Sequence, residues 1–277
     1  MPELPEVEIT RRHLAGVMTG ALIQEVAVTH ERTARYNSGP REVEDRLLGR
    51  RVSDVGRTGK FLHATLDDGQ MMVAHLGMSG RFTIDGEAEP HTHFRASLDT
   101  GNIVRFVDPR TFGFVAVFNE EEIGFSGLAR LGPDAWTSPL GPAELEQALA
   151  GRTAAIKALL LDQGIISGLG NIYADEALHK ARIHPMSAGG SIASGELAAL
   201  IQAIREVLEA AIENGGTSLS DLAYLLPDGR AGENLEQLMV YGRTDLPCLT
   251  CGTPIRRILV RSRSTHFCPS CQQGPSA

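Results

Sequence analysis

The chain has 277 residues, 42% of them apolar and 22% charged, which excludes a disordered chain and leaves room for two domains and a small appendage. No apolar run approaches the roughly 20 residues that cross a bilayer, and the acidic opening Met1-Pro2-Glu3-Leu4-Pro5-Glu6 lacks the basic start of a secretion signal, so a cytoplasmic protein without a membrane partner is expected. A formal net charge of −8 argues at first against nucleic acid as well, but the distribution of charge matters more than its sum.

In chain order, Pro5 in the first turn, Glu6 and Glu8 close behind and Gly20 at the end predict a helix over residues 2 to 19. From about Ala21 to Phe118 the pattern turns to short strands. Leu62, Ala64 and Leu66 alternate before Asp68-Gly69, and Met72, Ala74 and Leu76 alternate after it, which predicts a hairpin within a β-sandwich or barrel. The Gly/Pro-rich stretch from Leu131-Gly132-Pro133 to Gly141-Pro142 ends the strand pattern and marks a domain boundary. Gly168-Leu169-Gly170-Asn171 precedes a helical stretch from Ile172 to Lys180, and a Gly-rich turn at a helix N-terminus suits a phosphate. Leu197, Leu200, Ile204, Leu208 and Ala211 keep a helical period up to the stop signal Asn214-Gly215-Gly216. Gly216 to about Gly232 reads as a long loop.

The C-terminal segment carries the most specific spacing. Cys248-x2-Cys251 and Cys268-x2-Cys271, sixteen residues apart, are the pattern of two zinc knuckles joined by a β-hairpin. Four thiolates close a tetrahedral shell with no open position, so one structural zinc ion is expected. Between Arg243 and Cys271 stand Arg243, Arg256, Arg257, Arg261 and Arg263 against the single acid Asp245, a local balance of 5 − 1 = +4. A solvated basic surface is the plain reading. Four arginines on so short a ribbon favour phosphate contact instead, because guanidinium donates bidentately.

The opening Met1-Pro2-Glu3-Leu4-Pro5-Glu6-Val7-Glu8 is similar to the start of formamidopyrimidine-DNA glycosylases. The resemblance continues through Lys60, His75-Leu76-Gly77-Met78-Ser79-Gly80, Asp108-Pro109-Arg110-Thr111-Phe112-Gly113, Gly168 to Tyr173, Tyr241-Gly242-Arg243 and the cysteine module. It implies an α+β multidomain protein: an N-terminal β-sandwich with flanking helices (1–132), a helix-two-turns-helix domain with a lesion-capping loop (143–240) and a zinc finger (241–277). It also implies a monomer that acts on damaged double-stranded DNA, associating with the nucleoid, and removes oxidised purines.

By the same resemblance, Pro2 is the nucleophile, Glu3 the acid that helps to release the base, Lys60 the assistant of β-elimination and Arg263 the phosphate-binding assistant of δ-elimination. The physics agrees. A proline amine freed by removal of Met1 is secondary and gives an iminium ion directly on attack at a sugar C1′, and a terminal amine is far less protonated at neutral pH than an ordinary lysine. Met78, Arg110 and Phe112 match the residues that fill the gap left by an extruded nucleotide. His75, His93, Arg152, Lys157, Asn171, Tyr241 and Arg257 match further DNA contacts. The sequence departs from the family at Glu233-Asn234-Leu235, where aromatic residues are common, and Tyr224 either compensates by stacking on the base or packs against its domain. Two other readings stand beside this one: an endonuclease VIII-like enzyme for oxidised pyrimidines, and a zinc-ribbon DNA-binding protein without catalysis.

Overall fold

Helix formation begins at the fourth residue. Glu3, in an extended conformation, caps helix α1 (Leu4–Met18), Pro5 occupies the first turn where its missing N–H costs nothing, and Gly20 at φ 81° lets the chain leave. In the computed structural model, which describes residues 2–219 and 224–274, the chain divides into two units. The first comprises Met1–Arg130 and Ile212–Leu235, the second Leu131–Ala211 and Glu236–Ala277.

In the first unit, eight strands form two antiparallel four-stranded sheets. One has the order β1 (Ile23–Val28), β6 (Thr92–Leu98), β7 (Ile103–Val107), β5 (Arg81–Ile84). The other runs β2 (Val52–Thr58), β3 (Phe61–Leu66), β4 (Met71–His75), β8 (Phe114–Phe118). The expected hairpin is β3–β4, with Leu62 opposite Ala74 and Ala64 opposite Met72. Inward residues of both sheets share one core with Val7, Leu14 and Met18 of α1 and with Val43 and Leu47 of α2 (Pro40–Leu47). Helix α2 departs from the run of strands expected over 21 to 118. It buries only the i, i+4 pair Val43 and Leu47, too short a stripe to show a helical period.

The second unit holds α3 (Pro142–Leu149), α4 (Ile156–Leu160), α5 (Asn171–Lys180) and most of α6 (Ser194–Glu213). Between α4 and α5 the chain turns twice: Ile165 N–H closes on the Asp162 carbonyl, and Gly168, at φ 102°, donates to the Gln163 side chain. This is the helix-two-turns-helix. The unit ends in the hairpin β9 (Arg256–Val260) and β10 (Arg263–Phe267), joined through Arg261 and Ser262 at positive φ. The segment Ile212–Leu235, which the sequence reading joined to the helical domain, groups with the first unit.

Candidate active site and nucleic-acid interface

Pro2 and Glu3 are both buried. Their placement follows from Glu6, itself 1% exposed, whose carboxylate accepts the Glu3 N–H at 2.8 Å and the Thr217 N–H at 2.8 Å. One acceptor thus fixes the Glu3 backbone and the base of the 216–235 loop together. One turn along α1, buried Glu8 pairs with Arg57 (3.2 Å), and Arg57 donates to the Gly59 carbonyl at 2.8 Å. Gly59 sits at φ 58° in the tight β2–β3 turn, and the next residue is Lys60, half-buried. A buried ion pair therefore ties the turn bearing Lys60 to the helix that follows Pro2 and Glu3. Sequence reasoning missed this link, because Glu8 and Arg57 are far apart in the chain and each reads alone as a surface charge.

His75 lies at the end of β4, its ring stacked on Phe114 and tilted against Phe61. Burial first, then the Lys60 and Arg35 cations, bring its pKa down to about 4. Its Nδ1 accepts the Gly77 N–H at 3.0 Å, so the neutral ring carries its proton on Nε2. His93, on β6, lies with its ring 4.8 Å from that of His30 and 6.2 Å from that of His91, and its pKa is lowered chiefly by burial.

Met78 and the Arg110–Phe112 segment form one structure. Asp108, fully buried, accepts from Ser79 Oγ (2.8 Å), Gly113 N–H (2.7 Å) and Arg110 N–H (3.3 Å). Gly77, at φ 65°, lets the Met78 turn pack on the second loop: a Cβ there would lie 2.6 Å from the Phe112 carbonyl carbon. Phe112 is 41% exposed, a large apolar ring left in solvent, with the Arg110 guanidinium 5.0 Å from its centroid. Such a loop places a large exposed ring and a hydrogen-bonding cation side by side.

In the described part of the 216–235 loop, Tyr224 is buried against Ile9 and Leu226, which answers the sequence alternative: it packs. Asn234 is buried too and donates to Thr217 Oγ1 at 2.9 Å, closing the loop base. Residues 220–223 of the expected lesion cap lie outside the described residues.

In the second unit, α5 organises the C-terminal module. Asn171 Nδ2 donates to the Ser264 carbonyl (2.9 Å), Asp175 accepts the His266 N–H (2.9 Å), and Glu176 accepts the N–H groups of Met239, Val240 and Tyr241 at 2.8, 3.0 and 2.8 Å. These contacts carry Tyr241, whose ring meets that of His266 edge-on, and the hairpin arginines. Arg257 and Arg263 are exposed, Arg257 donating to Ser264 Oγ; Arg152 is exposed beyond the end of α3. Lys157, expected among the DNA contacts, lies in the interior. It is 0% exposed, paired with the equally buried Asp175 at 2.6 Å and donating to the Ser264 carbonyl at 2.9 Å. It anchors the residue after Arg263 rather than presenting its own charge, and removing either member of such a pair strands a buried charge at a cost of about 3–5 kcal/mol.

The four cysteine Sγ atoms lie within 4.8 Å of one another, with Cys251–Cys268 at 3.4 Å and Cys248–Cys271 at 4.0 Å. A tetrahedral zinc thiolate shell has sulfur–sulfur edges of about 3.8 Å, so the set fits that ion. Backbone N–H groups of Thr250 and Cys271 point at Cys248 and Cys268 Sγ, as suits thiolates. Burial, then the neighbouring sulfurs, push the Cys271 thiol up to about 12, so the all-thiolate form needs a cation among them.

A helix-two-turns-helix with a basic, cysteine-closed hairpin, in a chain whose other unit presents an exposed aromatic beside a guanidinium, defines a class: a nucleic-acid-processing protein with a structural zinc finger. Family models match in the same order: the formamidopyrimidine-DNA glycosylase N-terminal domain over residues 1–115, the H2TH domain of the same enzymes over 131–222, and the zinc finger found in FPG and IleRS over 245–274. The formamidopyrimidine-DNA glycosylase of Rhizorhabdus wittichii is 45% identical, over 99% of this chain and all of its own. The crystal structure of the Thermus thermophilus MutM (Fpg) protein superposes with a TM-score of 0.88 at 42% identity, covering 99% of this chain and 100% of that one. The Lactococcus lactis Fpg complexed with DNA containing an abasic site does so with a TM-score of 0.89 at 32% identity and the same coverage. The chain belongs to the formamidopyrimidine-DNA glycosylase family.

Proposed function

We propose that this protein removes oxidised purines, 8-oxoguanine and formamidopyrimidines, from duplex DNA and then cuts the strand at the resulting abasic site. The observation that carries the reading is the fixed terminus: Glu6 holds the Glu3 N–H, and the Glu8–Arg57–Gly59 chain ties the Lys60 turn to the same helix. An amine nucleophile must be positioned before it is useful.

In this mechanism Met1 is removed and the Pro2 nitrogen attacks C1′ of the extruded nucleotide. Glu3 supplies a proton as the base departs with its bonding pair, and its carboxylate then takes the proton of the new ammonium. The C1′–O4′ bond opens with its pair going to O4′, which takes that proton from Glu3, and the resulting iminium withdraws electrons for elimination of the 3′ and then the 5′ phosphate. Lys60 and Arg263 stabilise the departing phosphates. Arg152, Asn171, Tyr241, Arg257 and His93 hold the backbone, His75 donates as a neutral imidazole, and Met78, Arg110 and Phe112 fill the gap. Lys157 acts indirectly, through Ser264. One zinc ion holds the hairpin and takes no part in the chemistry. Lactococcus lactis Fpg has been solved with abasic-site DNA and a mutant of it with Fapy-dG DNA, which supports damaged DNA as the partner. The protein works as a monomer in the cytoplasm, on the nucleoid; among the described residues no helix is long and apolar enough to cross a membrane.

The same relative has also been solved with DNA containing an oxidised pyrimidine, so the test compares both lesions. Duplexes carrying 8-oxoguanine, an oxidised pyrimidine or an abasic site are incubated with the enzyme, and nicking is followed. Cleavage at 8-oxoguanine faster than at the pyrimidine is expected; cleavage at the pyrimidine alone assigns the other specificity, and none at any site refutes the reading. Binding should also weaken with salt despite the acidic chain. Four cations on phosphates (Lys60, Arg152, Arg257, Arg263) give a log–log slope of roughly −3.6 and a loss of roughly 100-fold between about 50 and 200 mM. A salt-independent Kd contradicts the proposed basic face.

A further inference from the structure

The wedge loop between β7 and β8 carries a conformation that needs support. Thr111 is β-branched and sits at φ 54°, a region such residues rarely occupy unless their surroundings enforce it. Asp108 holds the loop at its base. On the outer side stands Arg35, on the segment that leads into α2. Its guanidinium donates to the carbonyls of Phe112 (3.0 Å), Gly113 and Arg32 (2.8 Å), and it lies 5.0 Å from the centroid of Phe114 and 5.2 Å from that of Tyr36. Hydrogen bonds from both terminal nitrogens and rings beside it engage the planar, forked cation of a side chain that is otherwise exposed. The bond to Arg32 extends the arrangement, since the Arg32 guanidinium lies 5.9 Å from the Phe112 ring, adding to Arg110 at 5.0 Å.

The geometry points to Arg35 as a positioning residue for lesion capture: it holds the wedge loop in its inserting shape before DNA arrives. This rests on the reading of Phe112 as a wedge. Insertion must meet the cost of unstacking a base step. A loop already held in shape adds no ordering cost, whereas one that must first find a strained conformation does. Arg35 makes these contacts with carbonyls and ring faces of the wedge segment and its neighbours, not with Pro2 or Glu3. Its effect therefore falls on base extrusion and not on bond breaking. Lysine does not replace it, having neither the fork nor the flat face.

The test uses full-length enzyme in four forms: unchanged, Arg35→Ala, Arg35→Lys and Phe112→Ala. Stopped-flow fluorescence of a 2-aminopurine beside 8-oxoguanine reads unstacking, single-turnover excision reads capture plus chemistry, and cleavage of an abasic site in single-stranded DNA reads chemistry alone. Both Arg35 variants should slow unstacking and duplex excision by roughly tenfold or more while single-strand cleavage stays within about twofold, as expected when an interaction acts on one step only. Unchanged unstacking in Arg35→Ala with loss in Phe112→Ala overturns the role of Arg35 and leaves the wedge standing. Unchanged unstacking in Phe112→Ala overturns both. An equal loss on duplex and single strand, or full activity in Arg35→Lys, also overturns the proposal, the first because the damage is then general and the second because charge alone then suffices.

Discussion

Glu3→Gln is expected to lower excision of 8-oxoguanine by about 10²–10⁴-fold, the range supplied by one well-placed general acid. Glutamine keeps the size and the extended cap position of Glu3 but cannot give up a proton as the base departs. At an abasic site there is no base to release, so strand cleavage there should fall much less. The competing explanation, a helix-start carboxylate, makes a different prediction. Losing an N-cap costs typically about 1 kcal/mol, which lowers Tm by a few degrees and affects both substrates alike. Measuring Tm together with the two rates separates them: a large loss confined to excision supports the acid, and parallel losses with a lowered Tm support the cap.

Cys268→Ser, or chelation of the metal, should weaken binding to damaged duplex by at least about 100-fold while the sheets of the first unit keep their circular dichroism. The module's own core explains the size of the effect. It consists of Val240, Ile255 and the ligands Cys248 and Cys268, with Cys271 packed beside them. Without the ion two aliphatic residues remain to order the hairpin, and so small a core does not fold alone. The contacts from Asp175, Lys157 and Asn171 then hold a frayed ribbon. The two charge-assisted phosphate contacts proposed for Arg257 and Arg263, each worth about 1.5–3 kcal/mol, account for a loss of at least about 3 kcal/mol, or about 100-fold. The first unit has a separate core with no cysteine in it, which is why it should survive. Full binding by metal-free protein would contradict this account.

Features set by local pattern were legible in the sequence. The cysteine spacing gives the metal site because knuckle geometry is local. The β3–β4 hairpin shows because one face alternates around Asp68-Gly69, and α5 starts at Asn171, beside the residue where its period was expected. Strand β8 is buried at every position, so it carries no alternation to read. What could not be read is the support. Glu8 and Arg57, Asp175 and Lys157, and Glu176 are charged side chains whose partners come from distant parts of the chain, and burial of such groups is invisible until the partners are known. Lys157 shows the consequence, since a lysine at a position suited to phosphate contact is spent on holding the backbone beside Arg263. The family resemblance names candidate residues for the substrate; the structure adds the side chains that hold those residues in place.

In the proposed reaction the amine of Pro2 attacks the damaged nucleotide. Enzyme is mixed with 8-oxoguanine duplex, the iminium is reduced with borohydride, and the cross-linked peptide is sequenced. The account predicts one covalent adduct at Pro2 and no trapping in protein that keeps an uncleaved N-terminal extension, because the amine is then an amide and no longer nucleophilic. An adduct mapped to Lys60 or to any other lysine, or undiminished trapping in the extended protein, would contradict it.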